Sequence, residues 1–311
     1  MAAVIKTVNL TKRYGSLVAL SNLNLEIQQG DCFGFIGPNG AGKTTTIKIL
    51  ATLLQPTWGE ARICDLVVGF QSRQIRPLIG YVPDSFGAYE DMVVQEYLEF
   101  FGAAYGIHGS NRTRIVNDVL ELTDLGGKRD ALVDSLSRGM KQRLSVARVL
   151  VHDPQVLLLD EPAGNLDPRA RIEMRELLKE LRRMGKTILI SSHILPELAD
   201  LCNTVGIIER GELIYSGPVA DILRQAKTGR ILHVAVASNS ELAHQALAAN
   251  ENVISVTPVD GMLKVALSED VLDSSFIAEL LVRRGLRVTM VKEEEVNLET
   301  AFMRLTKGNV Q

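Results

Sequence analysis

The sequence predicts an α/β chain: a mostly parallel sheet covered by helices, a strand-rich N-terminal part, a helical insert, and a small α+β unit at the C-terminal end. Three observations carry this. Two apolar runs, residues 32–36 and 156–159, have the composition of strands buried on both faces. Stretches between such strands place apolar residues at helical spacing. Residues 231–292 change rhythm and alternate as strand, helix, strand, strand, helix, strand.

Composition bounds the possibilities. A chain of 311 residues has room for one large domain and a smaller one, and 46% apolar residues supply a real core. A net charge of −3 and a pI near 6.0 give no electrostatic case for nucleic acid as a partner. Cys32, Cys64 and Cys202 are few, odd in number and widely spaced, which argues against a disulfide framework and fits a reducing cytosol. No apolar run approaches the roughly 20 residues of a membrane-spanning helix, and residues 1–8 lack a signal-peptide core. Work at a membrane would therefore need another anchor.

Along the chain, residues 4–30 are strand-like, most clearly where Leu23, Leu25 and Ile27 alternate with polar neighbours. Tyr14 stands in a short polar loop and by spacing alone is an ordinary half-buried aromatic. After the strand 32–36 comes Gly37-Pro38-Asn39-Gly40-Ala41-Gly42-Lys43-Thr44, followed by Thr45, which fits the phosphate-binding pattern Gly-x-x-x-x-Gly-Lys-Thr. Its glycines let successive N–H groups turn toward phosphate oxygens. Lys43 adds a positive point charge, and the Thr44 hydroxyl is placed to ligate Mg²⁺. Ile47, Leu50, Ala51 and Leu54 then share one helical face. A strand before and a helix after the pattern predict a nucleotide-binding loop. Trp58 reads as a packing residue.

A short strand at 79–83 leads into Asp84, and the period then becomes helical. Val94, Tyr97, Leu98 and Phe101 share one face, and Ile115, Val119, Leu122 and Leu125 another, in an insert spanning about 85–152. Phe86, Tyr89 and Phe100 could dock a partner there, although core filling is the plainer reading. Ser137 is placed to cap a helix whose Met140, Leu144, Ala147 and Val151 lie on one face, with Pro154 at its far end. A helix opened by Ser137 and Gly139 can bind an anion, but most such caps bind nothing.

The strand 156–159 ends in Asp160-Glu161, two carboxylates that are costly there unless paired or metal-bound. Met174, Leu177, Leu178 and Leu181 mark the next helix, and a strand at 187–190 runs into Ser191-Ser192-His193. A turn at 209–212 closes the first domain, expected over residues 1–222, and a polar link covers 224–230. The second domain, 230–311, is expected as strand 231–237, helix 240–249, strands 253–259 and 262–267, helix 273–284, strand 286–292 and a final helix from Leu298. Its core order is ferredoxin-like. It carries no catalytic motif, and His108, His152, His233 and His244 lack metal-ligand spacing.

The ordered set of motifs over residues 2–220 resembles the ATP-binding subunits of ABC transporters, within the P-loop NTPase fold. Gly37 to Thr44 is similar to that family's Walker A. Leu136-Ser137-Arg138-Gly139-Met140 resembles its Leu-Ser-Gly-Gly-Gln signature, departing at Arg138 and Met140. Residues 157–161 resemble Walker B followed by the catalytic Glu161, Asn165-Leu166-Asp167 the D-loop, His193 the switch histidine, and Tyr14 the adenine-stacking aromatic. The family usually carries Gln where this chain has Asp84, which could still ligate Mg²⁺ but adds negative charge beside the triphosphate. As turn chemistry, Pro83-Asp84-Ser85 also has a plainer reading, as a solvated turn.

The resemblance implies two such domains meeting head to tail as a homodimer or heterodimer, with two ATP molecules between them. Each ATP would touch residues 37–45 of one chain and Ser137 and Gly139 of the other, with Asp167 also among the residues that bind it. Asp160 and Thr44 would hold Mg²⁺, Glu161 would act as base, and Lys43 and His193 would contact the terminal phosphate. Separate transmembrane permease subunits are implied, with this chain at the inner face of the cell membrane. Asp84 and a tail like residues 296–302 resemble drug, lipid or polysaccharide exporters. The rival readings are an importer ATPase with a ligand-sensing C-terminal domain, and a soluble ATPase of this type acting on ribosomes or DNA. The latter typically has two halves or a long coiled coil, and basic surfaces, none of which is evident here.

Overall fold

In the computed structural model, the described residues are 3–85, 87, 91–226, 231–268, 271, 273–294 and 298. They fall into two compact units that part between Val219 and Ala220.

The first unit opens with β1 (Ala3–Tyr14), β2 (Leu17–Gln28) and β3 (Cys32–Ile36), followed by α1 (Lys43–Leu50), β4 (Trp58–Ile63), β5 (Leu66–Val67), α2 (Ser72–Ile75) and β6 (Ile79–Val82). Three helices of the insert come next: α3 (Val94–Ala104), α4 (Gly109–Leu122) and α5 (Arg138–Leu150). The chain then returns through β7 (Val156–Asp160), α6 (Pro168–Arg183), β8 (Thr187–Ser192), α7 (Leu195–Leu201), β9 (Thr204–Glu209) and β10 (Glu212–Pro218), with α8 (Val219–Ala226) crossing to the second unit.

Two sheets organise the first unit. One is antiparallel, in the order β2-β1-β4-β5, and presents alternating buried and exposed residues, as a sheet with one wet face must. The other runs β10-β9-β3-β8-β7-β6 and is parallel from β9 to β6. Its central strands β3 and β7 are buried at every position, which explains why their sequences are uninterrupted apolar runs. The apolar cluster around Phe33, Phe35, Leu158 and Leu189 joins the two sheets through Leu20, Leu23 and Ile27. Burying each such side chain contributes about 1.5–3 kcal/mol. Because β3, β7 and β8 are parallel, their C-terminal ends emerge on one edge, the usual ligand edge of such sheets.

Several local expectations are corrected. The helix after the phosphate loop stops at Leu50, so Leu54 packs on the core from outside it. Tyr14 ends strand β1 rather than standing in a loop. Trp58 is 74% exposed, not packed: β4 begins there and its side chain points to solvent. In α4 the buried face is Val116, Val119 and Leu120, while Leu125 is buried beyond the helix end. The supposed polar link begins as helix α8, because Leu223 and Ile222 give it an apolar side that polarity counts overlook. Cys32 and Cys202, 170 positions apart, bring their free sulfurs to 3.6 Å in the core. Phe86 and Tyr89 lie outside the described residues, and Phe100 is exposed on α3.

The second unit contains β11 (Ile231–Val236), α9 (Ser240–Ala248), β12 (Val253–Val259), β13 (Met262–Leu267), α10 (Ser275–Arg283) and β14 (Val288–Glu293). Its antiparallel sheet runs β12-β13-β11-β14, and Leu232, Val234, Leu263 and Val265 pack with Ala243, Leu247, Ile277 and Leu281 of the helices. The final helix expected from Leu298 lies, beyond that residue, outside the described residues.

Candidate nucleotide site

The phosphate loop connects β3 to α1, and glycine is required at two of its positions for different reasons. A Cβ on Gly37 would stand 2.3 Å from the Ile208 carbonyl oxygen, so the loop lies against β9 only without a side chain. Gly42 has φ of 110°, outside the range of L side chains, and turns the chain into α1. No side chain caps α1 and no acidic residue stands in its first turn, so its N-terminal N–H groups and dipole remain directed at the loop. The loop lines a cavity of about 400 Å³ with residues 39–45.

Lys43 extends along the loop, its ammonium donating to the carbonyls of Gly37 (2.6 Å) and Pro38 (3.1 Å). Glu161 Oε1 lies 3.8 Å away. Burial pushes the Lys43 pKa down from 10.5, and the Glu161 and Asp160 carboxylates oppose that shift. Asp160 occupies the last rung of β7, where Oδ1 accepts from Thr44 Oγ1 (3.1 Å) and Ser191 Oγ (2.7 Å). Its Oδ2 is buried with no protein partner among the described residues. Burial raises the Asp160 pKa above 3.8; the two hydroxyls counter this, and Asp84 and Glu161 add to it.

Beyond Asp160 the strand ends abruptly. Glu161 has φ of 50°, a left-handed conformation that costs a non-glycine residue on the order of 1–3 kcal/mol. Its carboxylate accepts from His193 Nδ1 at 2.8 Å, which orients the imidazole ring. Glu161 and His193 both face the cavity, together with Asp84, Gly164 and Asn165.

The structure therefore brings Lys43, Thr44, Thr45, Asp160, Glu161, His193 and Asp84 together, with Asn39, Gly40, Ala41 and Gly42 as cradle and the carbonyls of Gly37 and Pro38 beneath Lys43. Four expected residues stand apart from this cluster. Tyr14 is 47% exposed, with Lys12 Nζ 5.2 Å from its ring centre. Ser137 caps α5, accepting from Met140 N–H at 3.3 Å. Gly139 sits where a Cβ would come within 2.6 Å of Ala170. Asp167 caps α6, accepting from the N–H groups of Arg169 and Ala170 at 3.0 Å each.

The D-loop resemblance names Asn165 but gives the contact to Asp167, whereas Asn165 is the residue that reaches the cavity; Ser191, given no role by the sequence, donates to the Asp160 carboxylate and accepts the Glu161 backbone N–H. The triplet Ser191-Ser192-His193 at a strand end was the available signal for the latter.

An unmatched buried carboxylate has a testable cost. A raised folded pKa opposes folding once pH exceeds the unfolded value near 3.8, and the penalty is complete above the folded value. Asp160→Asn removes that charge with almost no change of shape. In nucleotide-free protein at neutral pH it is expected to raise the unfolding midpoint, by about 1 kcal/mol of stability, a usual size for a relieved site. A lowered midpoint in thermal unfolding would refute this.

Comparison with known proteins agrees with this geometry. A family model described as "ABC transporter" matches residues 20–164. The chain is 36% identical over 303 residues to the Nod factor export ATP-binding protein I of Burkholderia lata, covering 97% of each protein. It is 35% identical over 312 residues to the bacitracin transport ATP-binding protein BcrA of Bacillus licheniformis, covering 99% of each. Among solved structures, the dimeric cassette MJ0796 in a post-hydrolysis state bound to ADP and Pi has a TM-score of 0.62 and 26% identity. The match covers 69% of this chain and 98% of that one.

Proposed function

This chain belongs to the ABC transporter family as an ATP-binding subunit, and from that premise we propose that it hydrolyses ATP to energise export of a drug, lipid or polysaccharide-like cargo through separate permease subunits. One observation carries the enzymatic part. A cation, two carboxylates and an imidazole (Lys43, Asp84, Glu161 and His193), each following a different one of four parallel strands, line one glycine-walled cavity. The direction of transport follows the Nod factor relative, whose name specifies export.

Each group has a role in this reading. Lys43 and the N–H groups of residues 39–45 bind the triphosphate. Mg²⁺ fits the site because Asp160 Oδ2 is a buried acceptor without a partner among the described residues. Thr44 and Asp160 would hold it, with Asp84 on the same cavity, and it would neutralise phosphate charge. Glu161 accepts the proton of the attacking water, and His193 orients that carboxylate through Nδ1 and would contact the terminal phosphate. Ser137, Gly139 and Asp167, which are off this cavity, would complete the partner's site in a head-to-tail dimer. Tyr14 would stack on the base.

All these residues precede residue 222. We assign residues 1–222 as the ATPase domain and 230–311 as an accessory domain. No described helix is long and apolar enough to cross a membrane, so the chain would reach the inner face of the membrane through its permease. Affinity purification from gently solubilised cells tests this reading. A polytopic membrane protein should co-purify, and the complex should release phosphate with MgATP. Recovery with ribosomes instead, or no phosphate release from the complex, would overturn it.

A further inference from the structure

Ser191 is wholly buried at the penultimate position of β8, and its side chain stands on the same sheet face as that of Asp160, since the two are partners in the parallel register. Its hydroxyl donates to Asp160 Oδ1 at 2.7 Å and accepts the N–H of Glu161 at 3.0 Å. A single oxygen thus ties the side chain of one carboxylate to the backbone of the next. We propose that Ser191 is the positioning residue that sets the spacing and direction of the Asp160–Glu161 pair for hydrolysis; the inference rests on the role given above to Glu161.

The need for such a tie follows from the way β7 ends. Up to Asp160 the strand is held by ladder hydrogen bonds to β8. At Glu161 the backbone swings into the left-handed region, and a turn closes with Gly164 N–H donating to the Glu161 carbonyl at 2.9 Å. The Glu161 N–H leaves the ladder, and the Ser191 hydroxyl replaces the lost acceptor. That hydroxyl has one proton, and the proton is directed at Asp160, so both of its hydrogen-bonding directions are committed. Thr44 reaches the same Oδ1 from the other side at 3.1 Å, which leaves Oδ2 as the unmatched oxygen. Alanine at 191 would free the Glu161 N–H and allow the Asp160 carboxylate to rotate, with no change in the lining of the cavity.

Loss of an outer partner that orients such groups typically lowers activity about 10–100-fold. Ser191→Ala is therefore expected to lower kcat for ATP by at least about tenfold. Affinity for a fluorescent ATP analogue without Mg²⁺ should stay within about twofold, and the extra affinity conferred by Mg²⁺ should shrink. Ser191→Thr, which restores the hydroxyl, should recover most of kcat. A kcat within twofold of wild type would overturn the inference. So would equal losses of kcat and of Mg²⁺-free affinity, or failure of Ser191→Ala to fold, since either marks a structural role. Glu161→Gln is run in parallel to separate the two claims: turnover retained there refutes the base, while a dead Glu161→Gln beside a normal Ser191→Ala refutes the positioning role alone.

Discussion

Glu161→Gln is expected to abolish steady-state ATP hydrolysis, by about 10²–10⁴-fold, while ATP still binds. The substitution keeps the shape of the side chain and can keep the bond to His193, but it removes the proton acceptor facing the cavity. It also removes a negative charge 3.8 Å from Lys43. That charge opposes a triphosphate in the same space, so its loss gives no reason for weaker binding. Binding without turnover should trap the nucleotide-bound state, and size-exclusion chromatography in MgATP should show a dimer that wild-type protein forms only transiently. Wild-type rates of phosphate release from the variant would remove Glu161 from its role. A loss of ATP binding equal to the loss of turnover would show that the carboxylate supports the loop rather than the chemistry.

How far the sequence reveals such a site depends on how local its physics is. Residues 37–44 could be read directly because a phosphate cradle is built from consecutive residues, and Gly37 and Gly42 are each required by backbone geometry. Asp160-Glu161 stood out because carboxylates at the end of a buried strand demand partners. The identity of those partners was not legible. Ser191 reaches Asp160 only through the register of two parallel strands, and Thr44 only through the order of the sheet. The same limit explains Cys32 and Cys202, remote in sequence and adjacent in the core. Periodicity located the helices but overran their ends at Leu54 and Leu125, because both residues are apolar and buried without being helical. Trp58 failed for the opposite reason: size suggested burial, yet a strand's first residue can leave its side chain in water.

Lys43→Ala is expected to weaken ATP binding by about 10–100-fold, since a hydrogen bond to a charged group is worth about 1.5–3 kcal/mol and each 1.4 kcal/mol is tenfold. Charge alone should not rescue it. The Lys43 ammonium lies in a slot only 6% exposed, donating to two carbonyls of its own loop at 2.6 and 3.1 Å. A guanidinium is planar, wider and fixed in its fork, so Lys43→Arg should also bind ATP poorly despite carrying the same charge. The pair of variants separates two explanations of affinity. If long-range attraction dominated, Arg would restore binding at low salt and lose it as salt rises past a Debye length of roughly 10 Å. If the slot dominates, as its burial and short contacts argue, both variants stay weak at every ionic strength. Titration with a fluorescent ATP analogue at low and high salt decides between them, and affinity within twofold of wild type for Lys43→Ala would dissolve the assignment of this loop.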